Sequence, residues 1–468
     1  MQDPRSFARI LRTGLRNVSF AMRPGVLVAI AGRARYPLAS SIAVQAAIFV
    51  SSIVLARVMG RHVFGQYGMI LTIQVMFLTA SNLCLSSILP ALMVPRRDDR
   101  AAVSRIVSTA VLLTLGFSGM GVAGFFALLR PSAGFCEISG LELPTALVCA
   151  PVIAALPLQY VILAEIQSME RLGLWSAASA CVGLTPVAFA LIGCIWFKDL
   201  GLGGFSVLVG IGGFAAVLPL MLFRRRAGLP RWRLRFDAAA ARPLLAAGLS
   251  LWFICILDNV ALSLARVFTV RYAGHGETGC FILAYGFISY QQMLNGAFIV
   301  PLIPKWSRLA RNRQKSRLLR DIRNATVGLI VAGCAYGALL YLLSPYFVPA
   351  IYGEEYRSAI RLTQILAWTC PIIGIGFAAW ALSISQGRVR VVFWANVAWA
   401  SALTVSSVFL IRSHYAPGAV AAVFIAYASW GFVYALCMVP HMLEIARWKR
   451  GKQKPGKAQV PGDTRPIS

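Results

Sequence analysis

Few side chains of this sequence could do chemistry in an apolar environment, and most of them lie in or beside long apolar runs. Asp258 is the one acidic residue that falls well inside such a run. A carboxylate surrounded by hydrocarbon is by default a functional candidate, because its charge is costly to bury. A carboxyl group that gains and loses a proton at this position could provide coupling to a proton gradient. The alternative is a structural ion pair or hydrogen bond with an Arg or Asn of a neighbouring helix.

Five arginines lie nearest the ends of the apolar runs and outside the densest basic loops: Arg57, Arg171, Arg266, Arg271 and Arg390. A guanidinium stays protonated and presents paired, planar donors, so such residues could hold a phosphate group in a low-dielectric region. Each could equally be an arginine whose stem lies along a helix while its charged head reaches the interface. The sequence leaves both interpretations open.

Amide side chains in or near the runs are the third group of candidates. They suit sugar hydroxyls because an amide both donates and accepts hydrogen bonds, and Gln45 and Asn295 are the two selected as substrate-binding candidates. Amides also join transmembrane helices to one another, so a structural role remains open for each. The other members of this group are Gln74, Asn82, Gln159, Gln291, Gln292 and Asn396.

Metal, redox and nucleotide chemistry have no support in the sequence. The four histidines are scattered, and the ten cysteines form no CxxC pair and lie mostly in apolar runs, as small buried hydrophobes do. No Gly-Lys-Ser/Thr loop that could cradle a nucleotide phosphate occurs. We therefore expect no cofactor, no metal and no enzymatic activity.

Twelve apolar runs must position these side chains. Each is close to the length of about 20 residues that a helix needs to cross a bilayer, which predicts an all-α, polytopic membrane protein. The runs lie near residues 38–58, 68–91, 106–129, 144–164, 174–196, 203–223, 244–265, 280–303, 325–344, 363–384, 391–411 and 418–439.

The basic residues alternate between the loops that join these runs. Of the 45 Lys and Arg residues, 36 fall in the termini and the even-numbered loops, and 9 fall in the odd-numbered loops. Positive charge concentrates in cytoplasmic loops, so both termini are predicted to be cytoplasmic. The net charge of +29 then reflects topology and contact with anionic membrane lipids, and a nucleic-acid partner is not expected.

An internal repeat divides the runs into two sets of six. A shift of 214 residues places Arg57, Gly60 and Gly65 on Arg271, Gly274 and Gly279, and a shift of 219 places Arg171 on Arg390. Because six is even, the repeats enter the membrane in the same direction, which predicts two parallel bundles around a central cavity and transport by alternating access.

This division predicts five segments along the chain. The N-terminal arm has apolar residues at helical spacing opposite arginines, which favours an in-plane amphipathic helix over a disordered basic tail. The C-terminal tail is polar and predicted to be disordered. The segments are the cytoplasmic arm at 1–36, the first six-helix bundle at 37–223, the cytoplasmic basic linker at 224–243, the second bundle at 244–440 and the cytoplasmic tail at 441–468.

Several short motifs occur in a fixed order along these runs. They are Leu55-Ala56-Arg57-Val58-Met59-Gly60, Phe64-Gly65-Gln66-Tyr67, Gly353-Glu354-Glu355-Tyr356 and Gln386-Gly387-Arg388 with Asn396. In this order, over roughly residues 36 to 440, the chain resembles the bacterial polysaccharide flippases of the multidrug/oligosaccharidyl-lipid/polysaccharide exporter superfamily. It departs from their pattern in carrying Arg266 as well as Arg271, so either could take the family role.

The resemblance implies a transporter that moves undecaprenyl-pyrophosphate-linked oligosaccharide across the bacterial inner membrane for polysaccharide export. It implies arginines around the pyrophosphate, a monomer, and a polysaccharide polymerase and chain-length regulator as partners. The alternative is a multidrug cation exporter of the same superfamily, although that function would favour carboxylates in the first six spans, where only Glu165 lies at one edge. Short outward loops disfavour a glycosyltransferase, and the Pro95 to Ala101 loop lacks the glycines of a major-facilitator transporter.

Overall fold

The computed structural model describes residues 24–96, 99–129, 143–169, 171–229, 232, 235–312 and 314–447. These residues are almost entirely helical, and no strand occurs among them. The predicted all-α fold is confirmed. The predicted amphipathic helix of the N-terminal arm and the predicted disordered tail fall mainly outside the described residues.

The described residues of the first half form seven α-helices. They are α1 (Pro24–Ser81), α2 (Leu85–Met93), α3 (Arg100–Leu129), α4 (Leu143–Ser168), α5 (Leu172–Ile195), α6 (Phe197–Ala215) and α7 (Val217–Arg226).

Six more α-helices lie in the described part of the second half. They are α8 (Ala238–Ile299), α9 (Ile303–Arg311), α10 (Lys315–Tyr352), α11 (Ser358–Ala367), α12 (Thr369–Ser385) and α13 (Val389–Arg447).

Eight helical segments in the described part of the chain are long and apolar enough to cross a membrane, or nine if the bent pair α11–α12 forms one span. Three of them, in α1, α8 and α13, are 43, 62 and 49 residues long, about twice what a bilayer requires. Each bends at one non-helical residue, at Gly60, Gly274 and Tyr415. With the pair α11–α12 taken as one span there are nine segments, and counting the two arms of α1, α8 and α13 separately adds three. The total of twelve agrees with the twelve predicted runs.

The bends at Gly60 and Gly274 occupy equivalent positions in the sequence repeat. Their φ values are 68° and 81°, in a region that residues with a Cβ rarely adopt, so glycine allows each helix to reverse there. These turns and the segments at Gly353 and Tyr415 lie in the odd-numbered connections, and we call this end of the bundle the odd-loop end. The opposite end, which carries Arg224 to Arg226 and the α9–α10 segment, is the even-loop end.

Prolines follow interruptions of the spans at two places. The helix α6 ends at Ala215 and α7 begins at Val217, just before Pro219, and α11 and α12 are bent by 43° just before Pro371. A proline lacks the N–H that would bond to the preceding turn, which weakens the helix there. Span 2, however, breaks at Leu83 and Cys84, well before its Pro90.

Two apolar clusters position the elements around the candidate residues. The larger one joins both halves at the odd-loop end and includes Phe64, Phe281 and Tyr356. A second cluster packs Leu244, near the start of α8, against the first half. Asp237 caps α8, accepting from the amides of residues 239 and 240, while its own N–H donates to the hydroxyl of Thr109 on α3. The start of the long α8 is therefore attached to the first half.

Candidate functional site between the two halves

Arg266 lies on the first arm of α8, inside the helical bundle, where it contacts the first half. Its Nη1 donates a hydrogen bond of 2.8 Å to Oγ1 of Thr72 on α1. The Thr72 hydroxyl donates in turn to the carbonyl of Gly68. The Nε of Arg266 is buried and has no hydrogen-bond partner among the described residues. An arginine at this position bridges the two halves and still has a donor to offer to a ligand.

Aromatic and amide groups of the second half surround this guanidinium. Its Cζ lies 5.8 Å from the centre of the Tyr285 ring, within the range of a cation–π interaction. The hydroxyls of Tyr285 and Tyr427 are 3.3 Å apart, and the amide of Gln292 donates to the Tyr427 hydroxyl. We call Arg266, Tyr285, Gln292 and Tyr427 the polar cluster. Sequence reasoning missed its two tyrosines, although a tyrosine inside an apolar run is a signal that could have located them.

Asp258 lies on the same helical arm, eight residues before Arg266, which corresponds to roughly 12 Å along the axis. Its Oδ1 is buried without a hydrogen-bond partner in the described part of the chain. Its carboxyl interacts electrostatically with Tyr285, Tyr427 and Tyr434. Asp258 therefore adjoins the polar cluster, and the ion pair considered as its alternative role is not formed among the described residues.

Arg57 and Arg271 lie apart from this cluster, at the odd-loop end. The Nε of Arg57 donates a 2.6 Å hydrogen bond to the carbonyl of Ile351, and its Nη2 donates to the carbonyl of Ala350. A guanidinium at the C-terminal end of α10 complements the helix dipole there and ties the first half to the second. Arg271 is exposed, with its Cζ 5.9 Å from the ring of Tyr272.

Arg171 and Arg390 are exposed at the even-loop end. Arg171 donates to the carbonyl of Arg226 at 3.1 Å, which ties the α4–α5 connection to the end of α7. Among the charged candidates, the structure therefore places Arg266 in the polar cluster and Asp258 beside it. The other four arginines lie at the two ends of the molecule.

The amide candidates divide into two groups. Gln45 is half-buried on α1, and Asn295 is buried on α8 with an Nδ2 that has no partner among the described residues. The helix-joining role holds for several others: Gln159 donates to the carbonyl of Gly213, and Gln291 donates to that of Cys370 at 2.7 Å. Asn396 accepts from the indole of Trp430.

The odd-loop end is closed by close contact between the repeated glycines. A Cβ added at Gly65 would lie 1.9 Å from the carbonyl oxygen of His275, and one at Gly279 would lie 2.4 Å from that of Arg61. The Tyr356 hydroxyl also donates to the carbonyl of Ala56 at 3.2 Å. The repeat located these glycines, but only the structure shows that they allow the two halves to touch. We call this contact the glycine seam.

A buried ion pair fixes the end of the first half. Arg224 donates from Nε and Nη2 to the two carboxylate oxygens of Glu165, at 2.9 and 3.0 Å. Trp232 of the linker donates to the same carboxylate, and its ring lies 4.7 Å from the Arg224 guanidinium. The Glu165 carboxylate is therefore fully engaged in structure and is not free to bind a cationic substrate.

Comparisons with known proteins agree with this architecture. No family model matches the chain. One curated relative, the lipopolysaccharide biosynthesis protein WzxC of Escherichia coli (strain K12), is 27% identical over 165 residues. This match spans 35% of the chain and only 33% of that relative's length.

Solved structures match over most of the chain. An inward-facing multidrug resistance MATE transporter of the MOP superfamily has a TM-score of 0.68 at 13% identity, over 86% of this chain and 95% of the other. The lipid II flippase MurJ, in an inward closed conformation, has a TM-score of 0.65 at 11% identity, over 88% and 89%. A MOP superfamily transporter from Pyrococcus furiosus has a TM-score of 0.62 at 12% identity, over 89% and 96%.

This chain has the fold of the MOP superfamily, the multidrug/oligosaccharidyl-lipid/polysaccharide exporters. The resemblance inferred from the sequence motifs is confirmed at that level. The chain is a multi-pass membrane protein of this fold, with an arginine and a carboxylate near one polar cluster inside its helical bundle.

Proposed function

We propose that this protein is a flippase for undecaprenyl-pyrophosphate-linked oligosaccharide in bacterial polysaccharide export. The observation that carries the proposal is Arg266, a guanidinium inside the membrane region that contacts both halves. Its buried Nε has no hydrogen-bond partner among the described residues. Leaving a buried donor unpaired costs about 1–3 kcal/mol, more for a charged group, and a phosphate oxygen would remove that cost.

The site suits an anionic substrate better than a cationic one. Asp258 brings at most one negative charge beside the polar cluster, and Glu165 is already bound to Arg224. Amides at Gln45 and Asn295 supply groups that can exchange hydrogen bonds with sugar hydroxyls. The similarity to WzxC supports the polysaccharide class, within the third of that relative that matches.

The transport cycle that we propose uses the glycine seam as the outer gate. The excess of basic residues in the even-numbered loops supports a cytoplasmic even-loop end, and in this orientation the closed seam separates the site from the outside. Substrate enters from the inner leaflet, its pyrophosphate pairs with Arg266, and opening of the seam releases it outward. Protonation of Asp258 would link these states to a proton gradient.

Arg57 and Arg271 lie at the outer gate in this cycle, where they would meet the pyrophosphate as it leaves. The donors of Arg57 are bound to the carbonyls of Ile351 and Ala350 while the gate is closed, and they become free only when the halves separate. Arg171 and Arg390 would meet the headgroup at the opposite, cytoplasmic end. The cellular setting that we propose is the inner membrane, with both termini cytoplasmic, no enzymatic activity, and a polysaccharide polymerase and chain-length regulator acting beside a monomeric flippase.

The second candidate is a cation exporter, favoured by the fold shared with multidrug MATE transporters and by the unpaired Asp258. A cation would bind Asp258 and be repelled by Arg266. The two functions therefore predict opposite effects of removing the charge at residue 266.

The experiment is translocation of a pyrophosphate-linked polyprenyl oligosaccharide in proteoliposomes, with and without an imposed membrane potential. We expect Arg266→Ala to abolish translocation and Arg266→Lys to retain part of it. Arg317→Ala, an exposed arginine on α10, is the matched control and should behave as wild type. Export of a lipophilic cation that increases in Arg266→Ala, without any lipid translocation, would establish the second candidate instead.

A further inference from the structure

Two cysteines from opposite halves of the chain meet inside the bundle. The thiol of Cys84, at the break in span 2, donates to Sγ of Cys255 on α8, and the two sulfurs are 3.5 Å apart. Both side chains are half-buried, and both are free thiols. They lie 171 residues apart in the sequence, so only the tertiary fold brings them together.

The helix break explains why Cys84 can reach α8. Leu83 and Cys84 have positive φ values of 36° and 50°, which ends the helix α1 and turns this short segment toward the second half. Non-glycine residues rarely hold such values, so the surrounding packing must impose them. Neither residue was singled out by any sequence motif, and the break does not coincide with Pro90 of the same span.

Two neighbouring contacts hold the break against α8. The indole of Trp252, three residues before Cys255, donates to the carbonyl of Ala80 at 2.9 Å. One turn earlier, a Cβ at Gly248 would lie 2.8 Å from the carbonyl oxygen of Leu83, so only glycine permits this approach. The two sulfurs therefore face each other across a contact that the backbone itself defines.

We propose that Cys84 and Cys255 form an oxidisable dithiol site, which a peroxide converts to a disulfide that ties the two halves together. The peroxide first oxidises one thiol to a sulfenic acid and leaves as the alcohol, or as water if it is hydrogen peroxide. The second thiol then attacks that sulfur, forming the S–S bond and releasing water. Two thiols lose two electrons and two protons, and the peroxide accepts them.

The distance requires little movement. A disulfide has a sulfur–sulfur length of about 2.05 Å, so the two sulfurs must approach by roughly 1.5 Å, which side-chain rotation and small backbone shifts can share. The consequence is mechanical: the bond forms in the state in which the glycine seam is closed, and it retains that state. Oxidation would stop a cycle in which the halves must rock apart.

The experiment treats the full-length protein in proteoliposomes with hydrogen peroxide, and then removes the oxidant. Mass spectrometry of unreduced peptides should find residues 84 and 255 in one disulfide-linked pair, which dithiothreitol releases. Hydrogen exchange of the segments around residues 60–66 and 274–280 reports opening of the seam, and it should slow by about tenfold after oxidation and recover on reduction. This measurement does not require knowledge of the transported substrate.

Three variants make the test specific. Cys84→Ser and Cys255→Ser should each lose both the linked peptide and the change in exchange, whereas Cys334→Ser, at an exposed cysteine on α10, should keep both. Oxidation that consumes thiols without linking residues 84 and 255 would overturn the proposal. A linked pair with unchanged exchange at the seam would equally overturn the claim that the disulfide retains the closed state. If lipid translocation is absent in every sample, only the proposed flippase function fails.

Discussion

The glycine seam yields the prediction that the structure defines most closely. Substituting Gly65 by Ala would place a Cβ 1.9 Å from the carbonyl oxygen of His275, whereas ordinary contact begins near 3.4 Å. The obstacle is backbone, which cannot rotate away, so the two halves must separate by an amount on the order of 1 Å. Inserting a methyl group into a packed contact of this kind costs about 1–3 kcal/mol.

This free-energy cost destabilises only the closed state of the seam, because the two segments lie apart when the seam is open. A penalty of about 1–3 kcal/mol shifts the balance between closed and open states by roughly 5- to 150-fold toward open. We expect Gly65→Ala, and Gly279→Ala by the same argument, to speed hydrogen exchange around the seam by a similar factor. Both variants should impair transport, since the cycle needs closure.

Gly286→Ala is the matched control for this prediction. It lies on α8 beyond the seam, and a Cβ added there would meet no atom of the described residues within 4 Å outside its own helical turn. Alanine also favours helix over glycine, so this variant should be as stable as wild type or more so. Wild-type exchange and transport in Gly65→Ala would refute the idea that the seam is the gate.

The remaining predictions concern charged side chains. Asp258→Asn should remove the dependence of transport on a pH gradient without changing expression, and an unchanged dependence in proteoliposomes would make Asp258 structural. Glu165→Gln should destabilise the protein by about 3–5 kcal/mol, because it removes the negative charge that faces the buried Arg224. Adding Arg224→Met should restore much of the melting temperature. An unchanged melting temperature in the double variant, relative to Glu165→Gln, would argue against this account. Arg57→Ala should impair transport and also speed exchange at residues 346–352, whose carbonyls it binds, whereas a loss of transport with unchanged exchange would assign Arg57 to the substrate alone.

The helical fold was predictable because the sequence signals that define it are local. Apolar length identified all twelve spans, even where two of them follow each other across a single non-helical residue, at Gly60, Gly274 and Tyr415. The repeat placed glycines at two equivalent turns, since glycine adopts a positive φ without the steric cost of a Cβ. The break at Leu83 was not predictable, because packing against Trp252 and Gly248 imposes it and no residue in the segment demands it.

Membrane crossing in two sets of six spans follows from the order of the residues alone, because hydrocarbon thickness and backbone hydrogen bonding require a helix of nearly fixed length. The sequence also supplied a short set of charged candidates. The folded chain distinguishes these candidates: Arg266 packs with Tyr285, whereas Arg57 donates to backbone carbonyls. The fold also brings Cys84 to Cys255. These outcomes depend on contacts between residues far apart in the chain, which helical periodicity does not encode.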